Sequence, residues 1–146
     1  ILVNGIGTNI NLRKKIFEKF EKKYKFYKII DKSAIISKNA VIESGAVIFP
    51  LTHIGPNVHI GKNVVVHTKA SIEHDSIIDD HSYLGPNCTV CGNTKVGESV
   101  LVGGSSFLKE NIVIKDKIKI SAGSVVLKSF NKKNILIYGS PAEAKR

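Results

Sequence analysis

Every sixth residue from Ile36 to Val126 is aliphatic, and no insertion interrupts the series. Two residues before each of these positions stands a second, mostly small set, which runs from Ala34 to Ser124. A period of six does not fit the 3.6-residue turn of an α-helix. It is typical of a chain that coils in short strands around a narrow core, with one large and one small inward position in each strand. The pattern therefore predicts an all-β solenoid, a parallel β-helix, over residues 32–127.

The same period predicts which residues stack on one another. Three hexads make one triangular coil, so residues eighteen apart should share a face, and the series gives about five coils. Gly92 then lies one coil above His74, and Ala122 lies one coil above Gly104. Gly92 has no side chain that would block a ligand, and Gly104 and Ala122 form a low column on another face. A long thin ligand could lie along that second column, as a pantetheine arm would.

Five glycines directly follow inward residues and are expected at tight corners that require a positive φ. They are Gly55, Gly61, Gly85, Gly97 and Gly103.

Residues 1–31 have the pattern of a small strand–helix–strand unit, the partial remnant of an α/β domain. Residues 1–8 suggest a short buried strand, Asn9 or Asn11 could cap a helix that runs to about Lys23, and residues 26–30 suggest a second strand. So small a unit cannot bury a sheet alone. It is expected to dock on the solenoid or on a partner, unless a larger N-terminal domain has been lost.

Residues 128–146 are expected to form a C-terminal tail.

Within the helix, one apolar stripe is expected to be buried: Leu12, Ile16, Phe20 and Tyr24. The glycines of Gly5-Ile6-Gly7 are a weak signal for phosphate binding, because the third glycine of the dinucleotide fingerprint is missing.

The formal net charge of +10 comes almost wholly from lysine. A basic surface can indicate nucleic acid, an anionic membrane or phosphorylated ligands, or it can be an ordinary solvated surface. Because Phe20 and Tyr24 of the most basic segment belong to an amphipathic helix stripe, we expect no nucleic-acid partner. The two cysteines and the absence of a long apolar run favour a cytoplasmic protein with no membrane partner.

The histidines and cysteines are candidates for metal or redox groups. No two histidines are eighteen apart on one face, so we expect no metal site. Cys88 occupies a small inward position, and the Cys88-x-x-Cys91 spacing is therefore interpreted as core packing rather than as a redox pair.

His74 is the strongest candidate for chemistry. It lies between Glu73 and Asp75, two residues beyond an inward isoleucine and thus near a corner. A neighbouring carboxylate can fix the tautomer of the imidazole and stabilise its protonated form, which suits a general base. The alternative is a surface histidine among acids.

Four segments resemble the bacterial sugar acetyltransferases among the hexapeptide-repeat acyltransferases. They are Ile72-Glu73-His74-Asp75, Gly92-Asn93, Ser121-Ala122-Gly123-Ser124-Val125-Val126 and Tyr138-Gly139-Ser140-Pro141-Ala142. That branch includes sialic acid O-acetyltransferases and N-acetyltransferases of nucleotide-linked 4-amino sugars. The resemblance implies a left-handed parallel β-helix, a homotrimer with active sites between neighbouring solenoids, and acetyl-CoA as the acyl donor.

The resemblance also implies roles for individual residues. His74 would be the general base, assisted by Asp75, and the backbone of Gly92 would face the thioester. Gly104 and Ala122 would line the CoA groove.

Two positions depart from the family. Tyr83 stands where a histidine often contacts CoA, and His67 replaces a frequent asparagine near the acceptor. Residues 1–30 match only the end of the acceptor domain of relatives.

The leading hypothesis is an acetyl-CoA-dependent transfer to the amine of a nucleotide-linked amino sugar. Transfer to a sugar hydroxyl, a related enzyme acting on serine or antibiotics, and an inactive trimeric scaffold remain alternatives. The basic residues near the C-terminus could meet the CoA phosphates: Lys128, Lys132, Lys133, Lys145 and Arg146.

Overall fold

Short strands recur every six residues along most of the chain. In the computed structural model, which describes residues 1–145, there is one helix, α1 (Ile10–Phe20), followed by nineteen strands. The strands are β1 (Ile29–Ile30), β2 (Ile35–Ile36), β3 (Val41–Ile42), β4 (Val47–Ile48), β5 (His53–Ile54), β6 (His59–Ile60), β7 (Val65–Val66), β8 (Ser71–Ile72), β9 (Ile77–Ile78), β10 (Tyr83–Leu84), β11 (Thr89–Val90), β12 (Lys95–Val96), β13 (Leu101–Val102), β14 (Phe107–Leu108), β15 (Val113–Ile114), β16 (Lys119–Ile120), β17 (Val125–Val126), β18 (Leu136–Gly139) and β19 (Ala142–Ala144).

Three parallel sheets form the faces of the solenoid. Sheet I contains β1, β4, β7, β10, β13, β16 and β18, with β19 added antiparallel; sheet II contains β2, β5, β8, β11, β14 and β17; sheet III contains β3, β6, β9, β12 and β15. Among β1 to β17, paired residues are eighteen apart, as in Tyr83 with Leu101 and Ser71 with Thr89. The predicted left-handed parallel β-helix is confirmed. It has about six turns rather than five, because β1 and β18 extend sheet I at its two ends.

The core consists of the two predicted inward series. From Ile42 to Val126 the aliphatic position of every hexad is buried, and so is the small position from Ala46 to Ser124. Buried hydroxyls in the small series donate to backbone carbonyls of the same coil, as Ser82 Oγ does to the carbonyl of Gly97 at 2.7 Å. Since buried polar groups are costly only when unpaired, the core accepts serine and threonine at these positions.

The corners differ from the prediction for glycine. A positive φ recurs at every sixth residue from Leu51 to Lys117, mostly at asparagine, aspartate and serine, and the five predicted corner glycines are not among them. Those glycines are needed for close approach of the next coil. A Cβ on Gly103 would lie 2.3 Å from the backbone nitrogen of Ala122, and one on Gly85 would lie 2.6 Å from that of Gly104.

The N-terminal segment docks on sheet I. Asn9 caps α1 as predicted, because its side chain accepts the N–H of Leu12 at 3.1 Å. The helix ends at Phe20 instead of near Lys23. The two predicted strands reduce to one parallel bridge between Leu2 and Phe26, and β1 belongs to the solenoid.

The buried face of α1 is not the predicted stripe. Ile10, Arg13 and Phe17 face the solenoid, while Leu12 and Tyr24 are exposed. Arg13 is fully buried because its guanidinium donates to the backbone carbonyls of Gly7, His81 and Ser82. Burial lowers its pKa to about 10.

No helix within residues 1–145 combines the length and apolarity that a bilayer crossing requires.

Candidate functional site

The predicted catalytic pair lies at the II/III corner, where the chain passes from sheet II to sheet III. His74 Nδ1 lies 2.8 Å from Asp75 Oδ2, and Asp75 Oδ1 accepts the side-chain amide of Asn57 at 3.0 Å. The hydrogen bonds from Asn57 and then from His74 hold the pKa of Asp75 below its usual value. Asp75 is therefore a carboxylate at neutral pH and accepts a hydrogen bond from Nδ1–H. This leaves Nε2 of His74 as the basic nitrogen.

Gly92 lies against the ring of His74, as the eighteen-residue spacing predicts. A Cβ at this position would be 2.5 Å from Nε2 and 2.6 Å from Cε1. The backbone N–H of Asn93 donates to the carbonyl of His74 at 2.8 Å and joins the two coils. Only glycine leaves space for the imidazole in this position.

Only one of the two flanking carboxylates contacts His74. Glu73 accepts instead from Ser71 Oγ at 2.6 Å, and His53 Nδ1 lies 3.6 Å from the same carboxylate oxygen. The predicted pair of acids around the imidazole is thus reduced to Asp75.

Gly104 and Ala122 form a column at the I/II corner, between sheets I and II. Ala122 is exposed, and the N–H of Gly123 donates to the carbonyl of Gly104 at 2.9 Å. Pro86 lies one coil below Gly104, and its carbonyl oxygen would be 3.1 Å from a Cβ added to Gly104. This corner and the corner with His74 lie on opposite edges of sheet II. Within one chain, the proposed donor column and the proposed base are therefore separate.

Tyr83 and His67 lie together beneath the N-terminal segment. They line a cleft of about 110 Å³ with Gly5, Gly7 and Phe49, among others. The rings of Phe49 and His67 are stacked with centroids 4.4 Å apart, and the Tyr83 ring is 6.2 Å from that of His67. Nδ1 of His67 is buried without a hydrogen-bond partner among the described residues. The structure thus groups Tyr83 with the predicted acceptor residue and not with the column of Gly104.

The remaining histidines and cysteines have structural surroundings. Cys88 is buried, and burial raises the pKa of its thiol to about 12, whereas Cys91 is partly exposed; both thiols are free. His81 is buried, with Nδ1 2.9 Å from the side-chain amide of Asn63. In the part of the chain that the structure describes, no group of three or more metal-binding side chains converges.

Two residues of the corner and its surroundings were not predicted. Asn57 is eighteen residues before Asp75, so the stacking rule could have identified it as the partner of that carboxylate. Nothing in the sequence indicates that Arg13 is buried, because the residue pattern of a helix does not distinguish a buried arginine from an exposed one. Of the basic residues near the C-terminus, Lys128 contacts Glu143 and Lys133 contacts Asp116, while Arg146 lies outside the described residues.

Comparison with known proteins supports the fold. The family described as GMPPB C-terminal domain matches residues 30–137. No curated protein matches the sequence.

Several solved structures are similar over nearly the whole chain. A mutant of GDP-perosamine N-acetyl transferase from Caulobacter crescentus, in complex with CoA and GDP-perosamine, is 23% identical with a TM-score of 0.91, over 97% of this chain and 70% of that one. The acetyltransferase domain of PglB from Neisseria gonorrhoeae, in complex with acetyl coenzyme A, is 23% identical with a TM-score of 0.91, over 94% and 67%. WeeI from Acinetobacter baumannii is 23% identical with a TM-score of 0.88, over 94% and 68%. At this identity the likeness establishes the fold.

Proposed function

The chain belongs to the GMPPB C-terminal domain family, and we propose that it uses this solenoid as an acetyl-CoA-dependent sugar acetyltransferase. The observation that carries the proposal is the II/III corner, where Asp75 accepts from Nδ1 of His74 and leaves Nε2 free against the backbone of Gly92. The complexes of similar solenoids with CoA and acetyl coenzyme A support the choice of donor.

In the proposed reaction, His74 acts as the general base. The amine of the acceptor attacks the carbonyl carbon of the thioester while Nε2 takes a proton from the attacking nitrogen. The tetrahedral oxyanion then collapses, the carbon–sulfur bond breaks, and the proton passes to the departing CoA thiolate. Asp75 stabilises the imidazolium during the transfer.

A backbone donor is available for the oxyanion. The N–H of Gly92 donates to no other group within residues 1–145 and adjoins the ring of His74. An N–H placed where charge develops stabilises the transition state more than the ground state. We assign Gly92 this role.

The separation of the two corners favours a site shared between chains. The column of Gly104 and Ala122 and the base at His74 lie on opposite edges of sheet II, so a donor along the column of one chain would meet the base of another. A homotrimer supplies three such contacts by symmetry.

The acceptor we propose is the amine of a nucleotide-linked amino sugar. The cleft is lined by His67 and by the rings of Phe49 and Tyr83, and such an aromatic wall suits the face of a sugar ring. The neighbour from Caulobacter crescentus binds such a nucleotide sugar. Transfer to a hydroxyl would use the same base.

An assay of CoA thiol release tests the proposal. Purified protein with acetyl-CoA is offered a panel of free amino sugars, nucleotide-linked amino sugars and their hydroxyl analogues. We expect release only with a nucleotide-linked amino sugar. Release with the hydroxyl analogues alone would reassign the acceptor, and no binding of CoA by calorimetry would show a non-catalytic scaffold.

A further inference from the structure

A second cavity lies on the outer face of sheet I, apart from the residues assigned to acetyl transfer. It has a volume of about 270 Å³ and lies between the first turn of α1 and the later coils of the solenoid. It is lined by Thr8, Asn9, Ile10, Asn11, Ser99, Leu101, Lys117, Lys119 and Asn134. Its polar lining contains no carboxylate.

The start of α1 presents a free backbone donor to this cavity. Asn9 accepts the N–H of Leu12 with its side chain and that of Arg13 with its carbonyl. The N–H of Asn11 has no partner within the described residues. N–H groups in the first turn of a helix lack the intrahelical carbonyl, four residues earlier, that accepts from later N–H groups. The helix dipole adds partial positive charge at this end.

Two lysines add full positive charge on the opposite wall. Lys117 and Lys119 are exposed, and neither lies within 4 Å of a carboxylate in residues 1–145. Glu98 and Asp116, which precede Ser99 and Lys117, are each bound by a different lysine. The acids nearest to the cavity are therefore already paired.

Ser99 provides an independent sign of a missing partner. It is buried, it lines the cavity, and its Oγ makes no hydrogen bond with any described residue. Serines in the core of the same solenoid donate to backbone carbonyls, as Ser82 does. A buried hydroxyl without a hydrogen-bond partner destabilises the fold unless a ligand supplies that hydrogen bond.

We propose that this cavity binds a phosphate group through the N-terminus of α1, the Ser99 hydroxyl and the ammonium groups of Lys117 and Lys119. Donors on two opposite walls and no acid in the lining match the oxygens of a phosphate dianion. The volume leaves room for a substituent, so the phosphate can be inorganic or can belong to an ester. The site lies on sheet I, and its occupancy does not depend on acetyl transfer at His74.

Isothermal titration with inorganic phosphate and with ribose 5-phosphate tests the site. We expect saturable binding that weakens as salt is added, since the charges are partly exposed. A double variant, Lys117→Gln with Lys119→Gln, should weaken binding about tenfold. Tighter binding of ribose 5-phosphate would indicate an ester, and equal binding would indicate the free ion; both support a phosphate site.

A control separates this site from general surface charge. Lys115 is exposed and does not line the cavity, so Lys115→Gln should leave the affinity unchanged. Ser99→Ala should weaken binding without changing net charge. The proposal is overturned if wild-type protein binds neither phosphate at millimolar concentration, or if Lys115→Gln weakens binding as much as the double variant.

Discussion

The proposed base depends on an asparagine from the neighbouring coil. Asn57 donates to one oxygen of Asp75, and the other oxygen lies 2.8 Å from His74 Nδ1. Asn57 therefore acts through Asp75 as a positioning residue. Its hydrogen bond is also the largest cause of the lowered pKa of that carboxyl.

We expect Asn57→Gly to lower kcat by about threefold, in keeping with the loss of one exposed hydrogen bond, and to leave the KM for acetyl-CoA unchanged. Glycine accepts the positive φ of this position, so the corner should remain intact. Because the pKa of Asp75 rises without Asn57, the loss of activity at acidic pH should begin at higher pH.

The control for this variant is Asn111→Gly, at the equivalent corner position two coils above Asp75. Asn111 also has a positive φ, but it pairs with Asn93 and does not contact Asp75. The role of Asn57 is refuted if its variant and Asn111→Gly have the same kcat and the same pH profile.

At the level of elements, the hexads predict the strands almost residue by residue. Each strand from β2 to β17 ends on the aliphatic inward residue of its hexad, because that side chain points into the core of the coil. The helix was harder to predict. Its spacing gave an apolar stripe through Leu12 and Phe20, but the solenoid offers backbone carbonyls at His81 and Ser82, and Arg13 is buried against them. The residue pattern of a single helix does not indicate such tertiary partners.

The docking of α1 should weaken at acidic pH through His81. This side chain is buried and contacts Phe17 edge to face, with ring centroids 5.6 Å apart. Burial, and then the nearby Lys14 ammonium, lower its pKa from the ordinary value of 6.5. The free imidazole therefore takes up a proton at a higher pH than the docked one. The contribution of α1 docking to the free energy of unfolding is fully present above pH 6.5 and decreases as the pH falls toward the lowered pKa of His81.

Tm measured between neutral and acidic pH tests this expectation. As the pH falls, we expect the Tm of the wild-type protein to decrease more than the Tm of the His81→Asn variant. Asparagine tolerates the positive φ of this position and does not titrate. Limited proteolysis of residues 1–28 should increase over the same range in wild-type protein only. Parallel pH dependence in the two proteins would mean that His81 does not govern docking.

At the scale of the whole molecule, the sequence predicted the parts of the site better than their arrangement. The stacking of Gly92 on His74 follows from the period of eighteen and is found in the structure. The position of Tyr83 near His67 also follows from the pairing of β10 with β7, but the cover that the N-terminal segment places over them is encoded by no repeat. In the proposed enzyme, the two corners of sheet II would form one site only through the assembly of several chains.

Acetyl transfer by two variants, measured separately and after co-expression, tests His74 and the shared site together. His74→Ala should lower the rate about 10²–10⁴-fold through loss of the general base. Ala122→Trp should block the donor column, because Ala122 is exposed and the indole would fill the space above Gly104. In co-expressed protein about a quarter of the sites would join an intact His74 to an intact column, so about a quarter of the wild-type rate should return. Activity that stays absent in the mixture would contradict a site shared between chains, and a near wild-type rate for His74→Ala alone would contradict the assignment of the base.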